Sequence, residues 1–318
     1  MNLRQLITLC EVVDQGLKLS AAALTLHRSQ PSITRQIQEL EEELGAKIFL
    51  RKRNRILELT PHGREILASA RRIVTELRNI RSASDDLAET AHGNFTVATT
   101  HTQARYTLPR VIRQFKGEYP NVHLSLRQAT PVQCCELVAR GAVDIAICTE
   151  TRDALDEVIQ IPCYRLNRSV VVPPAHQLLK VKPLTIEAIA RYPVITYDEG
   201  FSGRWILDRA FARRGLEPNV VLSAIDADVS KAYVEMGLGI AILATVAFDA
   251  TRDAGLRTID AAHLFAPSTL SVVARRNSYL RAYMLSFIGM FAPKLTRAAI
   301  AKALAGHPPG APRKLPEL

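Results

Sequence analysis

The sequence has little of what marks membrane, secreted or metal-stapled proteins. Its longest uncharged apolar run, Met236 to Phe248, is too short to span a bilayer. The N-terminus, MNLRQLITLCEVVDQG, carries neither a continuous apolar stretch nor a small-residue cleavage site, so no secretion signal is expected and a cytoplasmic location is. Five cysteines (Cys10, Cys134, Cys135, Cys148 and Cys163) form neither a metal-spaced set nor an even disulfide framework. Neither the Cys134-Cys135 pair nor Cys148 has a His–acid partner at an interpretable spacing, so an enzyme is not expected, and no catalytic residue, metal ligand or cofactor is assigned. Cys148 ends the apolar stretch DIAIC, a core setting for a thiol.

What is present is globular: 47% hydrophobic and 23% charged residues in 318, enough for two or three domains. A net charge of +10 and a pI near 9.6 point to a polyanionic partner. That surplus is scarce where it would be most useful. Residues 1–93 hold 14 basic against 12 acidic side chains, whereas 94–318 hold 27 against 19, so nucleic-acid binding has to be argued from local pattern.

Leu3, Leu6, Ile7, Cys10 and Val13 recur at helical spacing and predict a first helix. Ser20 is placed as the N-cap of a short second helix with Ala22, Ala23 and Leu26 inward. After a break at His27-Arg28-Ser29, Pro31 opens a third helix with Ile33, Ile37, Leu40 and Leu44 on one face and Gly45 at its end. Three short helices, the last two joined by a tight turn, make a helix-turn-helix. The outward N-terminal half of the third helix offers Gln30, Pro31, Ser32, Thr34, Arg35 and Gln38, suited to base edges in a major groove. Glu39, Glu41, Glu42 and Glu43 crowd its other end, where they would repel phosphate; an ordinary solvated helix would present a similar face. The next segment adds Arg51-Lys52-Arg53-Asn54-Arg55 between apolar flanks, a basic hairpin that reads as a wing, with Arg51, Arg53 and Arg55 on phosphates.

Thr60-Pro61 starts a linker helix in which Ile66, Ala70, Ile73, Leu77, Ile80, Ser84 and Leu87 alternate in steps of four and three, the seam of a helix that pairs with another; Leu67 and Val74 widen it. Beyond His92-Gly93 the pattern alternates strand and helix, predicting an α/β architecture with mostly parallel sheets. Candidate strands are 95–99, 122–126, 144–148, 169–172, 194–197, 220–222, 240–243 and 270–274. The domains expected are 1–59 (winged helix-turn-helix), 60–92 (linker helix) and 93–318, the last with one lobe from about 93–163 and 267–318 and a second lobe from about 164–266 inserted into it. Ligands in such sheets sit beyond strand carboxyl ends, at helix N-termini. Those ends read Thr99-Thr100-His101-Thr102-Gln103, Thr149-Glu150 and Gly200-Phe201-Ser202-Gly203: hydroxyls, an amide and backbone N–H groups, with little fixed positive charge. Each Thr or Ser alone is an ordinary helix cap; together they favour a small-anion site. His101 beside that site is read as an orienting or packed residue.

Over essentially its whole length the chain resembles the LysR-type transcriptional regulators. SQPSxTRQI at 29–37, ELE…ELG at 39–45, FLRK at 49–52 and LTPxG at 59–63 carry the likeness of its first part. TTHTQARY at 99–106, AICTE at 146–150, PCY at 162–164, GFxGR at 200–204, DADV at 226–229 and FAPxLTR at 291–297 resemble the CysB-like branch, regulators of sulfur assimilation. The resemblance implies two periplasmic-binding-protein-like lobes, a homodimer or homotetramer paired through linker helices, interrupted inverted repeats on double-stranded DNA, and RNA polymerase as a further contact. It implies an effector of the acetylserine, sulfate or thiosulfate type, with the anion at Thr100, Thr102, Gln103, Thr149 and Ser202, the last in place of the branch's usual threonine. Asp198-Glu199 and Arg165-Leu166 depart from the branch. Asp198 and Glu199 would weaken an anion site if they pointed inward, and a regulator of sulfonate or sulfate-ester use is the alternative. A solute-binding transport protein, which the second half alone would suit, is disfavoured by the winged N-terminus and the lack of an export signal.

Overall fold

Capping and burial, rather than bulk charge, organise the first part of the chain. The computed structural model describes every residue except 53–54, 87–91, 153–154 and 308–314, and the side chains at 55, 78 and 81–86 are likewise outside the described set. The chain divides into two units, Met1–Ala88 and Glu89–Leu318. The first contains α1 (Leu3–Asp14), α2 (Leu19–Thr25), α3 (Gln30–Leu44), the antiparallel hairpin β1 (Phe49–Lys52) and β2 (Arg55–Leu59), and α4 (Pro61–Asp86). Asn2 and Gln5 close a reciprocal capping box on α1. Ser29 caps α3 through the Ser32 N–H, and Gly45 ends it in the left-handed region at φ +61°. Ser20 does not cap α2: Lys18 holds that position without a side-chain bond, and Ser20 lies within the first turn. Ala22 and Ala23, both buried, are what fix α2 in the core.

That core joins Leu6, Leu9, Ile33, Ile37, Leu40, Ile48 and Phe49 to Leu67, Ala70 and Val74 of α4. The expected seam of α4 is therefore divided. Ala70 is consumed by the helix's own domain, while Ile73 and Ile80 stand 41% and 67% exposed; Leu87 and the Ser84 side chain lie outside the described residues. Thr60 Oγ accepts the Gly63 N–H (2.8 Å) and donates to the Lys47 carbonyl (2.6 Å), locking the start of α4 onto β1. A Cβ at Gly63 would lie 2.1 Å from the Ile48 carbonyl oxygen, so only glycine permits this approach.

In the second unit the elements are β3 (Gly93–Thr99), α5 (Leu108–Glu118), β4 (Val122–Gln128), α6 (Pro131–Arg140), β5 (Ile145–Thr149), β6 (Val158–Leu166), β7 (Arg168–Val172), α7 (Ile186–Ile189), β8 (Val194–Tyr197), α8 (Ser202–Ala212), β9 (Val220–Ala224), α9 (Ala227–Glu235), β10 (Ile240–Ala244), β11 (Arg257–Asp260), β12 (Ser268–Arg275), α10 (Ala282–Phe291) and α11 (Arg297–Leu304). They build two five-stranded sheets, ordered β4-β3-β5-β12-β6 and β11-β7-β10-β8-β9, one per lobe. The chain crosses from one to the other at Asn167 and returns between Asp260 and Ser268.

The sheets are mixed rather than mostly parallel. β3, β4 and β5 run parallel, as do β8, β9 and β10, but β12 is antiparallel to β5 and β6, and β7 is antiparallel to β10 and β11. The strands absent from the sequence reading, β6 and β11, lie at sheet edges. β6 carries Pro162, which an edge tolerates and which breaks the strand pattern, and β11 (RTID) has no apolar alternation to detect. The open edge of β6 is covered by the chain's last residues: the Arg165 N–H donates to the Pro316 carbonyl (2.8 Å), and the Leu318 N–H to that of Arg165 (3.2 Å).

Candidate DNA-binding face and anion site

The N-terminal half of α3 presents a polar surface. Gln30, Pro31, Arg35 and Gln38 are exposed, Ser32 and Thr34 are half-buried, and the Thr34 hydroxyl donates to the Gln30 carbonyl (3.1 Å). Arg35, its side chain 79% exposed, pairs with Glu39 at 2.8 Å, one turn further along the helix. Replacing Arg35 with alanine should cost about 1–3 kcal/mol of operator affinity, the range for one base-edge contact. Unchanged affinity in a gel-shift titration at fixed salt would remove Arg35 from the recognition set.

The structure redistributes the charges of the wing. Glu41 does not face phosphate: it is 3% exposed and accepts the backbone N–H groups of Ile48 (3.0 Å) and Phe49 (3.2 Å). Arg51 is half-buried, 3.7 Å from the same carboxylate, whereas Lys52 is exposed. Lys52 is not among the expected phosphate contacts, yet strand alternation puts it on the open face. Arg53 and the Arg55 side chain lie outside the described residues.

All five residues expected at the anion site line one cavity. Thr100 directly follows β3, Thr102 and Gln103 stand at the start of the helical stretch that leads into α5, Thr149 ends β5, and Ser202 opens α8. Each is buried or at the edge of burial, from 2% exposed for Gln103 to 9% for Thr149. The free space is about 30 Å³, room for a few waters or a compact ion. The Gln103 carbonyl oxygen accepts the Thr107 hydroxyl (2.7 Å), leaving its NH₂ to point elsewhere. Gly203 lets α8 start against Tyr197, since a Cβ there would sit 2.7 Å from the ring.

The cavity holds one fixed positive charge that the three strand ends do not carry. Arg168, 4% exposed, lines the cavity; it donates to the Ala266 carbonyl (2.8 Å) and to Ser268 Oγ (2.6 Å). Ser268 Oγ in turn lies 2.7 Å from Ser202 Oγ, so the guanidinium reaches a predicted site residue through one hydroxyl. Burial lowers the Arg168 pKa to about 10, against the pull of Tyr197 and Glu150. A buried cation in this state favours an anion beside it. Burial likewise raises the Glu150 carboxyl, whose Oε accepts the Thr269 N–H at 2.6 Å. Asp198 and Glu199 are exposed and do not line the cavity.

His101 turns away to Asp226, with Nδ1 2.9 Å from a carboxylate oxygen. Together with Asp228 these residues form the one grouping with metal-ligand spacing among the described residues. Asp228, however, is already held by Arg105, Tyr106 and Lys231, which a cation would have to displace. Of the described helices none is long and apolar enough to cross a membrane.

A winged helix-turn-helix together with a two-lobed unit enclosing a small polar cavity defines a ligand-responsive DNA-binding regulator. The chain belongs to the LysR family: residues 3–64 match the model of the bacterial regulatory helix-turn-helix protein of the lysR family, and 88–296 that of the LysR substrate binding domain. It falls in the CysB-like branch. It is 45% identical over 307 residues to the HTH-type transcriptional regulator CysB of Burkholderia cenocepacia, covering 96% of this chain and 98% of that one. It is also 45% identical over 304 residues to the regulator SsuR of the same organism, covering 96% and 99%. Among solved structures, the cofactor-binding domain of the Cbl transcriptional regulator superposes with a TM-score of 0.65 at 38% identity, covering 68% of this chain and 95% of that domain.

Proposed function

We propose that the protein is a cytoplasmic, sequence-specific regulator of sulfur-assimilation genes, set by a small effector of the sulfate, thiosulfate or acetylserine type held between its lobes. One observation carries this reading: five hydroxyl and amide side chains from three chain segments converge on a cavity that also contains the buried Arg168 guanidinium. Thr100, Thr102, Gln103 and Thr149 belong to the lobe of β3 and β5, while Ser202 belongs to the lobe of β8 and α8. An anion bridging them would tie the lobes together, the differential contact that a ligand needs to shift a conformational equilibrium. The exposed Ile73 and Ile80 leave α4 a face for a second copy, and a homodimer or homotetramer built that way would present paired wings to an inverted repeat.

Calorimetry with sulfate on the full chain tests the assignment. Thr102→Val removes one neutral hydrogen bond and should weaken binding by about 0.5–1.5 kcal/mol, roughly twofold to twelvefold. Equal affinities for the two proteins would sink the cavity as the anion site. Acetylserine titrated into the same samples separates an acyl-amino-acid effector from a purely inorganic one.

A further inference from the structure

Three thiols outside the anion cavity share one buried cluster. Cys134 and Cys135 lie near the start of α6, Cys148 lies in β5, and they pack together with Ala98, Val138 and Val273. All five cysteines are free thiols. Cys148 Sγ lies 3.9 Å from the Pro131 carbonyl at the first residue of α6, and its thiol is within hydrogen-bonding reach of both Cys134 and Cys135. Cys135 is the best supplied with donors: Gln160 Nε2 is 3.7 Å from its sulfur, and the Thr151 hydroxyl, itself 3.3 Å from that amide, also bonds to it.

The consequence is an unequal pair. Hydrogen bonding from Cys148 holds the Cys135 thiol below its usual range, against burial and with help from Thr151, while Cys148 is pushed well up by its bonds to Cys134 and Cys135 and by burial. A thiol inclined to ionise beside one that keeps its proton is the arrangement of an attacking and a resolving sulfur. Cys163 is the contrast within the same chain: its thiol faces the Ile161 carbonyl (3.2 Å), and burial lifts it to about 11.

We propose that Cys135 and Cys148 form a reversible disulfide, with a hydroperoxide as the oxidant. The Cys135 thiolate attacks the O–O bond of hydrogen peroxide; an S–O bond forms and hydroxide leaves, taking up the proton the thiol had lost. The Cys148 sulfur then attacks the sulfenic sulfur; the S–S bond forms, the S–O bond breaks and a second water carries off the Cys148 proton. Two thiols are oxidised by two electrons and one peroxide becomes two waters. With Cys135 2% exposed and Cys148 fully buried, the oxidant has to be about as small as water. Since Cys148 immediately precedes Thr149, the bond would tie α6 to the strand end that lines the anion cavity.

The test is hydrogen peroxide added in graded doses to the full reduced chain, followed by alkylation, digestion and mass spectrometry. The expected result is loss of two of the five free thiols, recovered on reduction, with the Cys135 peptide joined to the Cys148 peptide. Cys148→Ser should leave Cys135 as a sulfenic acid that dimedone traps, and Cys134→Ser should still form the bond. Oxidation of Cys10 or Cys163 before Cys135, a bond mapped to Cys134, or a bond between two chains would each overturn the proposal. The wild-type mapping decides the matter even if a variant folds poorly, and it needs no anion, so its failure is separate from failure of the ligand assignment.

Discussion

Replacing Arg168 with methionine is expected to weaken sulfate binding by about 2–5 kcal/mol, roughly thirtyfold or more in Kd. Arg168 is the one cation among the residues that line the cavity, and methionine fills comparable space without charge or donors. The guanidinium bears the cost of burial, which is why its pKa falls to about 10 even though Tyr197 and Glu150 favour its charge. Removing an isolated buried charge relieves that cost, so the ligand-free fold should lose little stability and may be compared directly with wild type. Thermal melts with and without sulfate check the claim. Saturating sulfate should raise the wild-type Tm, because ligand that binds only the folded state stabilises it by mass action, and should leave the methionine variant unmoved. Arg168→Lys should fall between them, since one ammonium cannot reproduce a fork that donates to Ala266 and Ser268 through two nitrogens. An equal sulfate-induced shift in all three proteins would remove Arg168 from the site.

Why Arg168 escaped the sequence is instructive about what a strand pattern can and cannot reveal. The five hydroxyl and amide residues follow the carboxyl ends of β3, β5 and β8, the place where parallel sheets bind ligands. Arg168 opens β7 instead, in the run RSVVV, where a charge and a serine before three valines look like a strand boundary. β7 runs antiparallel to β10, with Arg168 opposite Ala244, so its beginning lies beside the end of β10. Ser268 repeats the logic: it is the first residue of β12, antiparallel to β5. Both missed residues thus open strands that run against their neighbours in sheets expected to be mostly parallel. Direction is a tertiary property, set by the two passages between lobes, and nothing local to RSVVV or to Ser268 encodes it. The helical half was legible for the opposite reason. Pro31, Gly45 and the Thr60-Pro61 start act within one turn, and the structure places each as a helix-end residue, while Ser29, read only as part of a break, proves to be the cap of α3. Ser20 does not act as a cap because α2 begins one residue before it, at Leu19, with Ala22 and Ala23 in the core.

Glu41→Ala is expected to destabilise the N-terminal unit by about 3 kcal/mol, more than any exposed charge of the recognition helix can contribute. Position 41 falls one turn after Ile37 on the inward face of α3, which is why its carboxylate is buried while Glu39, Glu42 and Glu43 remain at the surface. There it accepts two backbone N–H groups where the chain enters β1, and both would lose their partner in the alanine variant. Lys47 at 3.5 Å and Arg51 at 3.7 Å would also lose their counter-charge. Glu41→Gln keeps an oxygen for both donors, which share Oε1, and loses only the charge facing Lys47 and Arg51, so it should cost about half as much. The single tryptophan, Trp205, lies in α8 of the second unit, so urea unfolding can be followed separately: helical circular dichroism reports both units, fluorescence only the second. The alanine variant should lose part of its helical signal at a lower urea concentration while the fluorescence midpoint stays put. Because β1 leads directly to the wing, the same variant should bind operator and unrelated DNA equally poorly, whereas Arg35→Ala should lose preference for the operator while keeping its affinity for unrelated DNA. An unchanged helical midpoint would mean that the buried carboxylate contributes nothing net, and that the apolar contacts of Ile48 and Phe49 alone hold the wing to α3.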